Sequence, residues 1–260
     1  MLGWCLGVFS VAKTLPVIDA SMFQINPNTK TSRHEIADDH FCLVVDDFLR
    51  DPRGVFAYAN ERTDEFELQS SGYPGVLMTA DDKELTDVYG FVRRTLSREM
   101  HFCRGGINLS TFFSMVTLSP EELNWAQRMC HNDPRTEAGR ANVAGLVYLF
   151  ENADLGGTGF YRFRNQATLE RATAIGASDP AGALAYLQKH VPMYREPPSY
   201  LTESCEVAEL LTVIPARFNR AIFYSGDIPH SAYISAPELL SNDVAAGRLT
   251  LNFFASVVPR

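Results

Sequence analysis

The sequence predicts a mainly β fold with flanking helices: an antiparallel β-core, not an alternating α/β sheet. Three observations carry this. The clearest helical patterning falls before residue 105. Five β-type runs rich in Val, Ile, Leu and Phe follow it. No helix alternates regularly with those runs, and one Ala- and Leu-rich segment over about 166–190 interrupts them as an insert.

The N-terminal stretch "MLGWCLGVFSVAK" is apolar, without a basic start or a small-x-small cleavage site, and reads as a first strand or docking arm. "FCLVVDDF" (41–48) reads as a buried strand. Asp51 and Pro52 then give a helix its N-cap and first position. "SSGYPGV" (70–76) is a loop by its glycines and proline. Over 83–102, Leu85, Val88, Tyr89, Val92, Leu96 and Met100 fall at helical spacing, with Arg93, Arg94, Arg98 and Glu99 on a solvated face. The β-type runs are "TFFSMVTL", "NVAGLVYLF" (142–150), "LLTVIPA" (210–216), "RAIFYS" (220–225) and "GRLTLNFFASVV" (247–258). The insert divides into two short helices around "GASDPAG".

With 260 residues and 46% hydrophobic content the chain can bury a substantial core. It is expected to form a single domain over 1–260: an N-terminal strand with supporting helices over 1–105, then the β-core with its insert over 106–260. The net charge of −8 and the lack of a Lys/Arg block argue against a nucleic-acid partner. No apolar run approaches membrane-spanning length, so no membrane partner is expected. The five cysteines form no C-x-x-C pair, which excludes zinc-ribbon and thioredoxin motifs. They read as buried, reduced thiols of a cytoplasmic protein.

"CHNDPR" (130–135) raises a metal question. On a strand, His131 and Asp133 point the same way about 6–7 Å apart, while Cys130 and Asn132 point the other way. An H-x-D pair with a distant histidine is the ligand set of non-heme Fe(II) oxygenases, which keeps one face of the metal open. Of the six histidines, His34, His40, His101 and His190 read as surface or capping residues. His230 follows a strand and turn and precedes another β-type run, a position suited to meeting an H-x-D pair. Arg248, Thr250 and Asn252 share one face of the last strand, with Leu249, Leu251 and Phe253 on the other. An arginine turned into a β-core requires an anion, and a bound dicarboxylate would supply one through the guanidinium fork, with Thr250 able to add a hydrogen bond. Each piece alone is common; the ordered set is far more specific.

On these residues the chain resembles the 2-oxoglutarate/Fe(II)-dependent dioxygenases, most closely their prolyl-4-hydroxylase-like branch, from about residue 40 onwards. "FCLVVDDFL" is similar to that branch's opening strand, and "HND" to its H-x-D. "GLVYLFENADLGGTGFY" resembles its Gly-Gly segment, "FNRAIFYSGDIPHSAYI" its distal-histidine strand, and "GRLTLNFFA" its arginine strand. "GYPG" is similar to a segment of a bacterial group of such proteins. The resemblance implies a double-stranded β-helix (jelly roll, cupin-like) core. It implies Fe(II) held by His131, Asp133 and His230, with 2-oxoglutarate and O2 as co-substrates. Arg248 would hold the far carboxylate of 2-oxoglutarate, Thr250 would assist, and Tyr148 stands where the family often places a second donor. The implied reaction hydroxylates a C–H bond of an amino acid, peptide or small metabolite and releases succinate and CO2. Asp133 argues against the related halogenases, which lack the carboxylate.

One departure is that Thr158 follows Gly157 directly, where the family's Gly-Gly continues with Glu-Thr, so that loop receives no substrate role by analogy. Tyr161, Arg162 and Arg164 after it face either a substrate or solvent. Two other readings are a cupin-like metal enzyme without 2-oxoglutarate, which has no need of Arg248 and Thr250, and a non-catalytic jelly-roll binding protein. "SSGYPGV" and the 166–200 region are the candidate lids, and Tyr73 either packs or lines the pocket. The composition leaves room for a homodimer.

Overall fold

In the computed structural model, which describes residues 23–37, 40–68, 72–80, 85–133 and 138–260, alternation along the last strand organises the molecule. Strand β11 (Arg248–Val257) sends Leu249, Leu251, Phe253, Ala255 and Val257 into one core. It turns Arg248, Thr250, Asn252, Phe254 and Ser256 to the opposite face, as period-two geometry requires. Flanking it are β5 (Asn108–Val116) and β6 (Ala141–Tyr148), both antiparallel. The large sheet continues through β9 (Ala221–Ser225) to β2 (His40–Asp46) and β1 (Lys30–Ala37). On its other side it runs through β4 (Gly75–Thr79) to β3 (Glu67–Leu68). Four of its eight strands, β1–β4, therefore come from residues before 105.

A smaller antiparallel sheet has β7 (Gly157–Phe163) at its centre, between β10 (His230–Tyr233) and β8 (Ala208–Ile214). Val44, Tyr148 and Ile222 from the large sheet meet Phe160 and Ile214 from the small one, forming the inter-sheet core.

Helices cover the outer faces. Helix α1 (Pro52–Asn60) starts where Asp51 accepts from the Gly54 amide and Pro52 sits in the first turn. Helix α2 (Thr86–Phe91) passes through a π-helical turn (Val92–Leu96) into α3 (Ser97–Glu99), and His101 closes the segment at φ 56°. Val55 packs on the large sheet, and so do Val88, Val92 and Leu96, as the spacing over 83–102 predicts. Tyr89, by contrast, is exposed. The insert forms α4 (Gln166–Gly176) and α5 (Pro180–His190), capped by Asn165 and Asp179. Ala172 and Leu187 pack with Tyr161 and Ala208 on the far side of the small sheet.

The N-terminal arm, Cys5 and Pro134 lie outside the described residues. Cys42, Cys103, Cys130 and Cys205 are free thiols. Among the described residues no helix is long and apolar enough to cross a membrane.

Candidate metal centre

The "CHND" segment joins neither sheet as a strand, against the expectation from its sequence. Among the described residues its ladder contact is a bridge in which the His131 amide donates to the His230 carbonyl at 3.0 Å and the His230 amide donates back at 2.9 Å. Two residues on, the Asp133 amide donates to the Gly226 carbonyl at 2.8 Å, and the Gly226 amide donates to Asn142. The loop after β9 and the first residue of β10 thereby fix the H-x-D pair. His131 Nε2 and His230 Nε2 stand 3.9 and 3.8 Å from Asp133 Oδ1, and one ligand atom from each residue falls within 4.8 Å of the others.

The donor set suits a divalent cation. His230 Nδ1 donates to the Ile228 carbonyl at 2.8 Å, which fixes the tautomer and leaves the Nε2 lone pair facing Asp133. Asp133 is buried, and its Oδ2 is a buried oxygen without a hydrogen-bond partner among the described residues. Such an oxygen is costly unless something else satisfies it. Burial pulls His230 down to about 4, against the opposing Ile228 bond. His131, whose side chain is more than half exposed, is lowered as well, by partial loss of solvent in the cleft and then by His230, with Asp133 opposing. Burial raises Asp133 to about 6. Near neutral pH the site thus presents two neutral imidazoles and one carboxylate, the protonation states a metal requires.

Cys130 points away from the site and packs beside Tyr161, where burial lifts its thiol to about 12. A neutral, buried thiol is no nucleophile. Asn132 also turns outward, donating to the Asp227 carbonyl at 2.5 Å.

Arg248 lies between the sheets, 3% exposed. Its Nε donates to Leu155 O at 3.1 Å and its Nη2 to Gly157 O at 2.8 Å, with no carboxylate partner among the described residues. Gly157 pairs with Tyr233, whereas Phe160 pairs with His230, so Arg248 reaches the small sheet three residues, about 10 Å, along β10 from the histidine. Between the Leu155 and Gly157 carbonyls, Gly156 packs its backbone against Tyr233: its φ is 83°, and a β-carbon there would lie 1.8 Å from Tyr233 O.

Between the two ends lies a polar layer. Thr250 Oγ1 and Ser114 Oγ are 2.8 Å apart, and Ser114 also accepts from Tyr73 Oη and Asn252 Nδ2, each at 2.8 Å. Tyr148 Oη and Thr158 Oγ1 are 2.7 Å apart, and the guanidinium carbon of Arg248 is 5.9 Å from the Tyr148 ring centre. Burial pushes Tyr148 up to about 12, so it is a neutral phenol. Tyr224 packs edge-on against His230, ring centres 4.7 Å apart. Burial, reinforced by Asp133 and opposed by Arg248, raises its hydroxyl well above the ordinary value.

The six residues named from sequence thus fall into two groups. His131, Asp133 and His230 come together at one end; Arg248, Thr250 and Tyr148 share the inter-sheet space beyond. Sequence reasoning missed Ser114, Thr158 and Tyr224. Only the cross-strand register juxtaposes Ser114 with Thr250. Tyr73 lines the cavity and also bonds Ser114, so packing is not its sole role. Tyr161 turns into the core beneath the insert and donates to Leu201 O at 2.6 Å. Arg162 and Arg164 lie 3.5 and 3.7 Å from Glu209, each with its side chain about half exposed.

A family model described as "Family of unknown function (DUF6445)" matches residues 27–255. No curated protein matches the sequence. Among solved structures, a Pseudomonas putida prolyl-4-hydroxylase is 15% identical over 80% of this chain and 86% of its own, with a TM-score of 0.38. EvdO2 from Micromonospora carbonacea var. aurantiaca, complexed with 2-oxoglutarate, is 8% identical over 84% and 87%, at 0.41. HygX from Streptomyces hygroscopicus, with nickel and 2-oxoglutarate bound, is 12% identical over 84% and 82%, at 0.42. At these scores the likeness is distant, and the chemistry of the site has to be read from its own residues.

Proposed function

The chain belongs to this family of unknown function, DUF6445, and from its site we propose that it is a 2-oxoglutarate- and O2-dependent Fe(II) oxygenase that hydroxylates a C–H bond. One observation carries the reading. A His-Asp-His cluster and a buried arginine with no carboxylate partner among the described residues lie at two levels of one inter-sheet space, separated by about the length of three strand residues. Under this reading the two sheets form the core of a double-stranded β-helix.

His131, Asp133 and His230 would hold Fe(II), and Asp133 Oδ2 is the oxygen awaiting a partner. When bound, iron with 2-oxoglutarate and O2 supplies the oxidising power for C–H hydroxylation, with release of succinate and CO2. The protein's own residues orient and shield. Ile228 fixes the His230 tautomer, and the Gly226 carbonyl fixes the Asp133 backbone. Arg248 offers its guanidinium to the distal carboxylate of the co-substrate, a pairing that would offset the cost of burying its charge. Thr250 and Tyr148 would add neutral hydrogen bonds, and Tyr224 and Phe160 keep water from the inner side of the ligands.

A metal enzyme without 2-oxoglutarate has no use for a buried cation at that distance, and Arg248 therefore favours the oxygenase. Succinate release from 2-oxoglutarate, measured with Fe(II) under air, tests the assignment. His131→Ala and Asp133→Ala should each abolish it with the far-UV circular dichroism unchanged, and activity that survives both changes rejects the triad.

A further inference from the structure

We propose that the substrate of this site is a neutral, largely apolar small molecule with a planar portion; the inference rests on the oxygenase reading above. The three-stranded sheet covers only part of the eight-stranded one. Beyond its edge, the outer halves of β5 and β11 line a cavity of about 750 Å³ that reaches His131 and Asp133. That volume is of small-molecule size.

The wall of the cavity has a definite chemistry. Phe112 and Phe254 lie stacked on the sheet, centroids 5.5 Å apart and planes inclined by 11°, a flat apolar platform beside the metal ligands. Met129, Tyr73 and Tyr200 also line the cavity, and burial raises both phenols, which stay neutral. The other polar side chains are uncharged: Ser110, Gln127 and Ser231 line the cavity, Asn108 and Ser256 are cross-strand neighbours, and Asn142 pairs with Ser256 from the other side. Among the described lining residues the only ionic groups are the two metal-ligand candidates. Arg140 lies behind Ser256 and donates to the Ser256 hydroxyl and to the Ser256 and Gly106 carbonyls. Arg248 lies at the far end of the polar layer and belongs to the co-substrate.

Among the described lining residues no cation outside the metal-ligand candidates stands ready to meet a ligand's carboxylate or phosphate, and no carboxylate besides Asp133 to meet an ammonium, so burying such a charge against the platform is unfavourable. A neutral ring can lie on the Phe112–Phe254 platform with an amide or hydroxyl towards Asn108 and Asn142. This selects against free amino acids and phosphorylated metabolites.

The test uses protein loaded with Mn(II) and 2-oxoglutarate, with N-phenyl-1-naphthylamine as a neutral fluorescent probe. Neutral 1-naphthaleneacetamide should displace the probe at least about tenfold more effectively than 1-naphthaleneacetate or 1-naphthylmethylammonium. Phe112→Glu should weaken probe binding by about tenfold or more. A charged competitor equal to the acetamide overturns the proposal, and so does a folded Phe112→Glu protein with unchanged probe affinity. Should Phe112→Glu not fold, the competition on the unaltered protein decides alone. Binding of 2-oxoglutarate is measured on the same samples. Its absence with the neutral preference intact overturns the oxygenase reading, and its presence without that preference overturns the substrate proposal.

Discussion

Gly226 and Asp133 are built against each other. The Asp133 amide donates to the Gly226 carbonyl at 2.8 Å, and a β-carbon at position 226 would stand 2.7 Å from Asp133 Oδ2. The missing side chain at 226 is what lets the carboxylate lie against the loop and still face both histidines.

Gly226→Ala is therefore expected to displace the carboxylate and weaken Mn(II) or Fe(II) binding by about 10–100-fold, the usual effect of disturbing the shell behind a ligand. Isothermal titration of Mn(II) into the metal-free protein measures this. An unchanged affinity would show that the tight packing does not set the carboxylate's position.

Arg248→Ala should raise the dissociation constant for 2-oxoglutarate by more than about tenfold while leaving the metal affinity near its starting value, since truncating one side of a buried charge pair costs about 2–5 kcal/mol. Arg248→Lys should fall between the two, because an ammonium keeps the charge and loses the planar fork. Equal losses of metal and 2-oxoglutarate binding would place Arg248 in a purely structural role.

The ion pair between Asp46 and Arg220 should make stability depend on acid pH. Arg220 Nε donates to Asp46 Oδ1 at 2.6 Å and Nη2 to Oδ2 at 3.1 Å, tying the end of β2 to the residue before β9. The Arg220 hydrogen bonds hold the Asp46 carboxyl below the ordinary carboxylate range. A carboxyl lowered on folding adds stability above its unfolded value, and that stability is lost as the pH falls through the folded value. Asp46→Asn should therefore cost about 1–3 kcal/mol at pH 7. The difference should shrink below about pH 4, as read from urea melts at the two pH values. A cost independent of pH would contradict the ion-pair account.

Legibility from sequence followed the range of the physical signal. Local chemistry was readable: Asp51 caps the helix it was expected to cap, "GASDPAG" divides the insert into two helices, and alternation along β11 put Arg248 and Thr250 on one face. The H-x-D spacing marked His131 and Asp133, and the strand-turn before His230 marked the third residue. Long-range pairing was not readable. Strand β1 is exposed along most of its length and carries no apolar alternation to reveal it. Strand β7 begins Gly157-Thr158-Gly159, a loop signature overridden because Gly156 and Gly157 pack tightly against Tyr233 and Ile214. Ser114 and Thr158 acquire meaning only from partners 136 and 10 residues away, through register and folding that no local pattern encodes.

The central claim is that the His131, Asp133 and His230 cluster and Arg248 together hold Fe(II) and 2-oxoglutarate. Anaerobic addition of Fe(II) and 2-oxoglutarate, followed by visible absorption, tests it most directly. The account predicts a charge-transfer band that requires both additions and is lost in Asp133→Ala. Well-folded protein that gives no such band with both present would contradict it.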